Sequence, residues 1–280
     1  MSGTLYLVPT PIGNLKDITL RALEVLNFVD LIACEDTRHS LKLLNHYEIK
    51  KPLLSYHKFN ELTKCDYIIE RLKAGENIAL ISDAGMPIIS DPGYILIQSI
   101  IKNGLKFEIL PGANAALCAV IASSFSAKDF IFKGFLPRDK GGRDKVLESI
   151  KDRTETIIFY EAPHRLIKTL ESIKGILGNR NIAVCRELTK LYEEIIRENI
   201  EDAIKHFSEN TPKGEFVLVI QGKDELEIEN EEKLVWQNIS IEEHIKQYIN
   251  EGISKKEAIK MVARDRKLSK NEVYKYSIDL

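Results

Sequence analysis

Short apolar runs alternate with amphipathic segments along most of this chain, and three of the runs end in loops dense in glycine and proline. Residues 5–8, 31–34, 78–82 and 107–110 read as strands, while 20–28, 40–46, 62–73 and 94–102 carry helical spacing. That alternation predicts strand–helix–strand units on a mostly parallel sheet, whose ligands sit outside the carboxyl ends of the strands. The loops stand at those ends: Val8-Pro-Thr-Pro-Ile-Gly-Asn-Leu15, Ser82-Asp-Ala-Gly-Met-Pro-Ile-Ile-Ser-Asp-Pro-Gly93 and Pro111-Gly-Ala-Asn-Ala115. They read as three walls of one pocket, built so that backbone can approach a small molecule closely. In the middle loop Gly85 and Gly93 can supply positive φ, and Pro87 and Pro92 stiffen it.

A second series follows, with strands at 130–135, 156–160, 182–185, 193–197 and 216–220, and helices near 145–150, from Pro163, and at 200–207. Two strands joined through Glu187 to Tyr192 without a helix predict antiparallel pairing in this half. The fold class is α/β: two α/β domains, 1–112 and 113–222. Residues 224–232 carry six acids and no base and read as a solvated linker. The remainder of 223–280 reads as three short helices at 242–250, 255–264 and 270–277, with Ser254 and Ser269 as N-caps. Eight Lys or Arg against three acids in 253–276 suggest a basic helix-turn-helix-like tail; a solvated face on a small bundle is the equal alternative.

A formal charge of -2, from 40 basic and 42 acidic residues, gives no global nucleic-acid signature. Cys34, Cys65, Cys118 and Cys185 are widely spaced, without a C-x-x-C pair or His at ligand spacing, which argues against disulfides and structural metal. No apolar run reaches the roughly 18 residues of a membrane span, so a cytoplasmic protein is expected. Walker A and G-x-G-x-x-G sequences are both missing.

Six segments in order, 5–15, 33–39, 82–93, 134–137, 159–165 and 186–190, closely resemble the RNA-modifying branch of the tetrapyrrole (corrin/porphyrin) methylase family. The resemblance runs in register from Thr4 to Gly222. It implies S-adenosylmethionine as cofactor, held in a cleft between the two α/β domains, 2'-O-methylation of a cytidine ribose in the decoding region of 16S rRNA within the small ribosomal subunit, and a homodimer. Carried over by position, the cofactor contacts fall on Pro11, Ile12 and Gly13; on Ala84, Gly85, Met86 and Ile89; on Asn114 and Ala115; and on Glu161 and Leu188. The first loop departs from the G-x-G-x-G-D pattern of the tetrapyrrole enzymes, which argues against a tetrapyrrole acceptor. A porphyrinogen C-methyltransferase and a non-catalytic ribosome-assembly factor are the alternatives.

Displacement of a methyl group from a sulfonium needs alignment more than metal, because the leaving group departs neutral. A ribose hydroxyl, in contrast, is a weak acid and calls for a base or a cation beside it. Glu35, Asp36, Arg38, His39, Asp83, Asp91, Glu161, His164 and Arg165 all follow strands on the cleft side, with Asp36 and Arg38 ranked first as catalytic; capping by Asp36 and a Glu161–Arg165 pair are the structural alternatives. For RNA, 133–145 reads as a loop made mobile by Gly141 and Gly142, with Arg138, Lys140 and Arg143 as backbone contacts.

Overall fold

The computed structural model describes residues 2–224, 226 and 239–278. The chain forms two compact units, one of 1–148 with 156–221 and one of 149–155 with 222–280. Both sheets belong to the first unit, although sequence alone suggested a division at 112/113.

The first sheet is built from β1 (Thr4–Val8), β2 (Leu31–Cys34), β3 (Leu53–Ser55), β4 (Ile78–Ile81) and β5 (Lys106–Ile109), in the order β3-β2-β4-β1-β5. All its pairings are parallel. The crossovers are α1 (Leu20–Phe28), α2 (Thr37–His46), α3 (Glu61–Lys73) and α4 (Tyr94–Lys102). β2 and β4 are buried along their whole length, as strands covered on both faces must be. Apolar cores lie on each side, one around Leu72, Leu80 and Ile100, the other around Leu26, Ile32 and Leu44. Three-residue β3 was not legible as a strand because its pattern is too short to carry a period.

The second sheet contains β6 (Phe130–Phe135), β7 (Thr156–Glu161), β8 (Asn181–Arg186), β9 (Glu194–Asn199) and β10 (Phe216–Ile220), ordered β6-β7-β10-β8-β9. β6–β7 is parallel and the other pairs are antiparallel. Here α5 (Ala115–Ser123), α6 (Lys140–Glu148), α7 (Leu166–Leu177) and α8 (Ile200–Glu209) complete the layers. The segment read as a mobile loop is ordered as a helix from Lys140: Asp139 Oδ1 accepts from the Gly142 N–H at 2.6 Å, and Lys140 pairs with Asp144 one turn on at 2.8 Å. Local capping and pairing outweigh the cost of the two glycines.

In the other unit, α9 (Ile241–Asn250), α10 (Lys255–Asp265) and α11 (Lys270–Lys275) close on Ile245, Ala258, Val262 and Val273. Ser254 and Ser269 accept from the Glu257 and Glu272 N–H groups, as N-caps. Arg266 is built into this unit: its guanidinium donates to His244 Nδ1 and to the carbonyls of Ile239 and Ser240. The proposed acidic linker falls, but for Asp224 and Leu226, outside the described residues. No helix among the described residues is long and apolar enough to cross a membrane.

Candidate active site

The loops after β1 and β4 are joined by backbone. Thr10 and Gly85 exchange N–H···O=C bonds at 3.0 Å each, and the Ser82 hydroxyl donates to the Gly85 carbonyl at 2.9 Å. Gly85 has φ 79° and Gly93 has φ 137°, so both use a conformation that costs glycine little. Ile88, between them, also has positive φ (76°), an outlier for a β-branched residue. Its side chain packs on the core around Leu80, which holds the strained turn in place. The loop after β5 ends at Asn114, whose side chain accepts from the Leu117 N–H at 3.1 Å and starts α5.

Between β8 and β9, Glu187 and Thr189 adopt positive φ. This turn meets the first loop: the Asn14 N–H donates to Thr189 Oγ1 at 3.0 Å, and a Cβ at Gly13 would lie 2.9 Å from the Leu188 carbonyl oxygen. Lys190 Nζ is held by Glu187 at 2.9 Å and Glu215 at 2.8 Å. Burial disfavours its charge, but these two carboxylates outweigh that and raise its pKa.

Together the loops enclose a cavity of about 600 Å³, ample for a nucleoside-sized ligand. Its floor is one row of the second sheet. Phe135 stands opposite Tyr160, Tyr160 opposite Val217, and Val217 opposite Cys185, and all four line the cavity. Phe135 and Tyr160 meet edge to face with centroids 5.7 Å apart. Burial pushes the Cys185 thiol up to about 12, so it is an apolar filler here and no nucleophile.

Of the residues expected to contact cofactor, Ile12, Ala84, Gly85, Met86, Ile89, Asn114, Ala115, Glu161 and Leu188 line this cavity. Pro11 and Gly13 do not; Pro11 is buried, and Gly13 lies against the turn of Leu188 to Lys190. Glu161 is 2% exposed and accepts from the Ala162 N–H, the Thr169 hydroxyl and Arg165 Nε, so the suggested Glu161–Arg165 pair is present at 3.3 Å.

The acids divide sharply. Asp36 and Arg38, ranked first from sequence, do not line the cavity. Asp36 caps α2 through the Arg38 N–H and pairs with the Arg38 guanidinium, which is 88% exposed; those hydrogen bonds hold the carboxyl near 2. Glu35, Asp83 and Asp91 do line it. Burial, reinforced by Glu35 and Asp83, raises Asp91 to about 6, and burial also raises Glu35. Asp83 anchors the arrangement by accepting the Asp36 N–H at 3.2 Å. Lys190, Glu215 and the Phe135–Cys185 row were missed, since strand register across antiparallel pairs cannot be read from one sequence. The described residues contain no group of three His, Cys, Asp or Glu suited to a metal ion.

Residues 4–204 match the model of the Tetrapyrrole (Corrin/Porphyrin) Methylases. The chain is 52% identical over 272 residues to ribosomal RNA small subunit methyltransferase I of Bacillus subtilis, covering 97% of this chain and 93% of that one. The protein of the same name from Halalkalibacterium halodurans is 51% identical with the same coverage. Among solved structures a diphthine synthase superposes with TM-score 0.62 at 15% identity, over 79% of this chain and 90% of that one, a likeness of fold.

Proposed function

This chain belongs to the tetrapyrrole (corrin/porphyrin) methylase family, and from that premise we propose that it 2'-O-methylates the ribose of a cytidine in the decoding region of 16S rRNA in the small ribosomal subunit. S-adenosylmethionine is the cofactor; it supplies a methyl group on a sulfonium sulfur that leaves as a neutral thioether. The observation that carries the reading is this cavity, with apolar walls at Ile12, Ala84, Met86, Ala115, Leu188 and Val217 and carboxylates at Glu35, Asp83 and Asp91. Apolar walls suit an adenine, and carboxylates suit a ligand bearing a sulfonium and an ammonium. Ile12, the loop from Ala84 to Ile89, Asn114, Ala115 and Leu188 hold it, with Pro11 and Gly13 fixing the first loop.

The acceptor hydroxyl needs a proton acceptor inside the cavity. We assign that role to Asp91, whose carboxyl lines the cavity and titrates near 6, close to neutral pH as a general base requires. Asp36 becomes a positioning residue whose N–H holds Asp83, and Arg38 is an exposed cation for RNA. Arg138 and Lys140, at the start of α6, are further phosphate contacts, joined by Arg143, which also donates to Ser172 and to the Arg138 carbonyl.

A cytoplasmic homodimer completes the proposal. Support comes from α5, which is apolar nearly all round yet leaves Ile121 75% and Leu117 49% exposed, with Cys118 exposed beside them; an apolar helix calls for a cover. The function is tested by incubating the protein and labelled S-adenosylmethionine with unmethylated small subunits, and in parallel with uroporphyrinogen. Label in the subunit RNA supports the proposal. Label in the porphyrinogen, or in neither, overturns it in favour of a tetrapyrrole enzyme or an assembly factor.

A further inference from the structure

On the turn that leaves β3 stands an aromatic side chain that packing does not explain. Phe59 is 95% exposed, although large apolar side chains are normally drawn inward. The turn that carries it, Tyr56 to Asn60, is tightly fixed. The Tyr56 N–H donates to the Cys34 carbonyl at 2.8 Å, extending the β2–β3 pairing by one step. Asn60 then closes the turn on itself: its Oδ1 accepts from the His57 N–H at 2.9 Å, its Nδ2 donates to the Ser55 carbonyl at 3.1 Å, and its own N–H donates to the His57 carbonyl at 2.9 Å. The phenyl ring meets His57 edge to face with centroids 6.1 Å apart and otherwise stands in solvent.

Its position ties it to the reaction. Glu35 lines the cavity one residue beyond β2, directly after the Cys34 whose carbonyl holds the head of the turn at Tyr56. Phe59 is therefore carried on the turn that leaves β3, the strand paired with the one that delivers Glu35. Lys58 is exposed next to it, and α2, which opens with the 88% exposed Arg38 paired to Asp36, connects the same two strands. A rigid, outward aromatic ring with an exposed lysine beside it is the arrangement that stacks an unpaired base while a phosphate is held.

We infer that Phe59 is a stacking platform for an unpaired base of the RNA substrate, adjacent to the nucleotide whose ribose enters the cavity. The inference rests on the rRNA reading above. Because sequence-specific RNA recognition works on bases splayed out of helices, such a platform would hold the strand open at the acceptor.

The test compares Phe59→Ala, Phe59→Leu and Phe59→Trp for methyl transfer to unmethylated small subunits, with the dissociation constant for S-adenosylmethionine measured alongside. An exposed side chain can be exchanged without unfolding the chain. Stacking predicts that Ala and Leu lose about 10- to 100-fold in kcat/KM, that Trp stays within about threefold, and that cofactor affinity is unmoved. An Ala variant as active as wild type overturns the inference. So does a Leu variant as good as Trp, which would mean apolar packing against protein. A wild-type chain that leaves small subunits unlabelled overturns the rRNA reading and this inference together, whereas the variant results on a labelled wild type bear on stacking alone.

Discussion

Thr10 and Gly85 exchange both of their backbone hydrogen bonds, so the loops after β1 and β4 form one wall of the cavity. This holds only while residue 85 keeps its φ of 79°, with Ile12 Cγ2 3.1 Å and the Ala113 carbonyl oxygen 3.3 Å from where a Cβ would stand. Gly85→Val adds a β-branched side chain in that conformation, at a cost of about 1–3 kcal/mol in stability. We expect a folded variant with S-adenosylmethionine affinity reduced by at least about tenfold. Calorimetry on the variant, with circular dichroism for folding, checks it.

A different consequence comes from Asp91. Its folded pKa, about 6, lies above the ordinary 3.8, so the native chain binds the proton more tightly than the unfolded one between those values. Stability contributed by the protonated form is present below pH 3.8 and is lost as pH rises through about 6. Asp91→Asn should therefore be more stable than wild type by about 1 kcal/mol at pH 8, after allowing for solvent screening, with the difference vanishing towards pH 4. Urea unfolding without cofactor at the two pH values measures it. As proton acceptor, Asp91 should also give wild-type kcat an acid limb near pH 6, and the Asn variant should lose about 100-fold or more in kcat. Retained kcat would move the role to Glu35 or Asp83.

For the α6 contacts, Lys140→Ala should weaken binding to small subunits and reduce the slope of log affinity against log salt by about one. Filter binding across a salt series reads this. Arg143→Ala is a poorer probe, because the same side chain donates to Ser172 Oγ at 2.9 Å and its loss disturbs the α6–α7 contact.

If α5 pairs with a second copy, Ile121→Asp should shift sedimentation from dimer to monomer, since a carboxylate cannot be buried unpaired in an apolar interface. An unchanged dimer would place the interface elsewhere.

The loops were legible because their chemistry is local: glycine where φ is positive at 85 and 93, and Asn114 where α5 needs a cap. What was hidden depends on pairing or packing. Val217 could not be set beside Tyr160 and Cys185 without the β10 register, and Ile88 gives no sign in sequence of its positive φ. Asp36 stands outside the cavity lining for a physical reason. The residue type that serves as a base also caps helices, and with α2 starting at Thr37 the carboxylate turns to the Arg38 N–H, leaving its neighbour Glu35 to face the cavity.

The most direct measurement is nucleoside mass spectrometry of 16S rRNA from small subunits methylated by this protein. The account predicts a single new 2'-O-methylcytidine, lost in the Gly85→Val variant. A methyl group on a base, on another ribose, or on no nucleoside at all would contradict it.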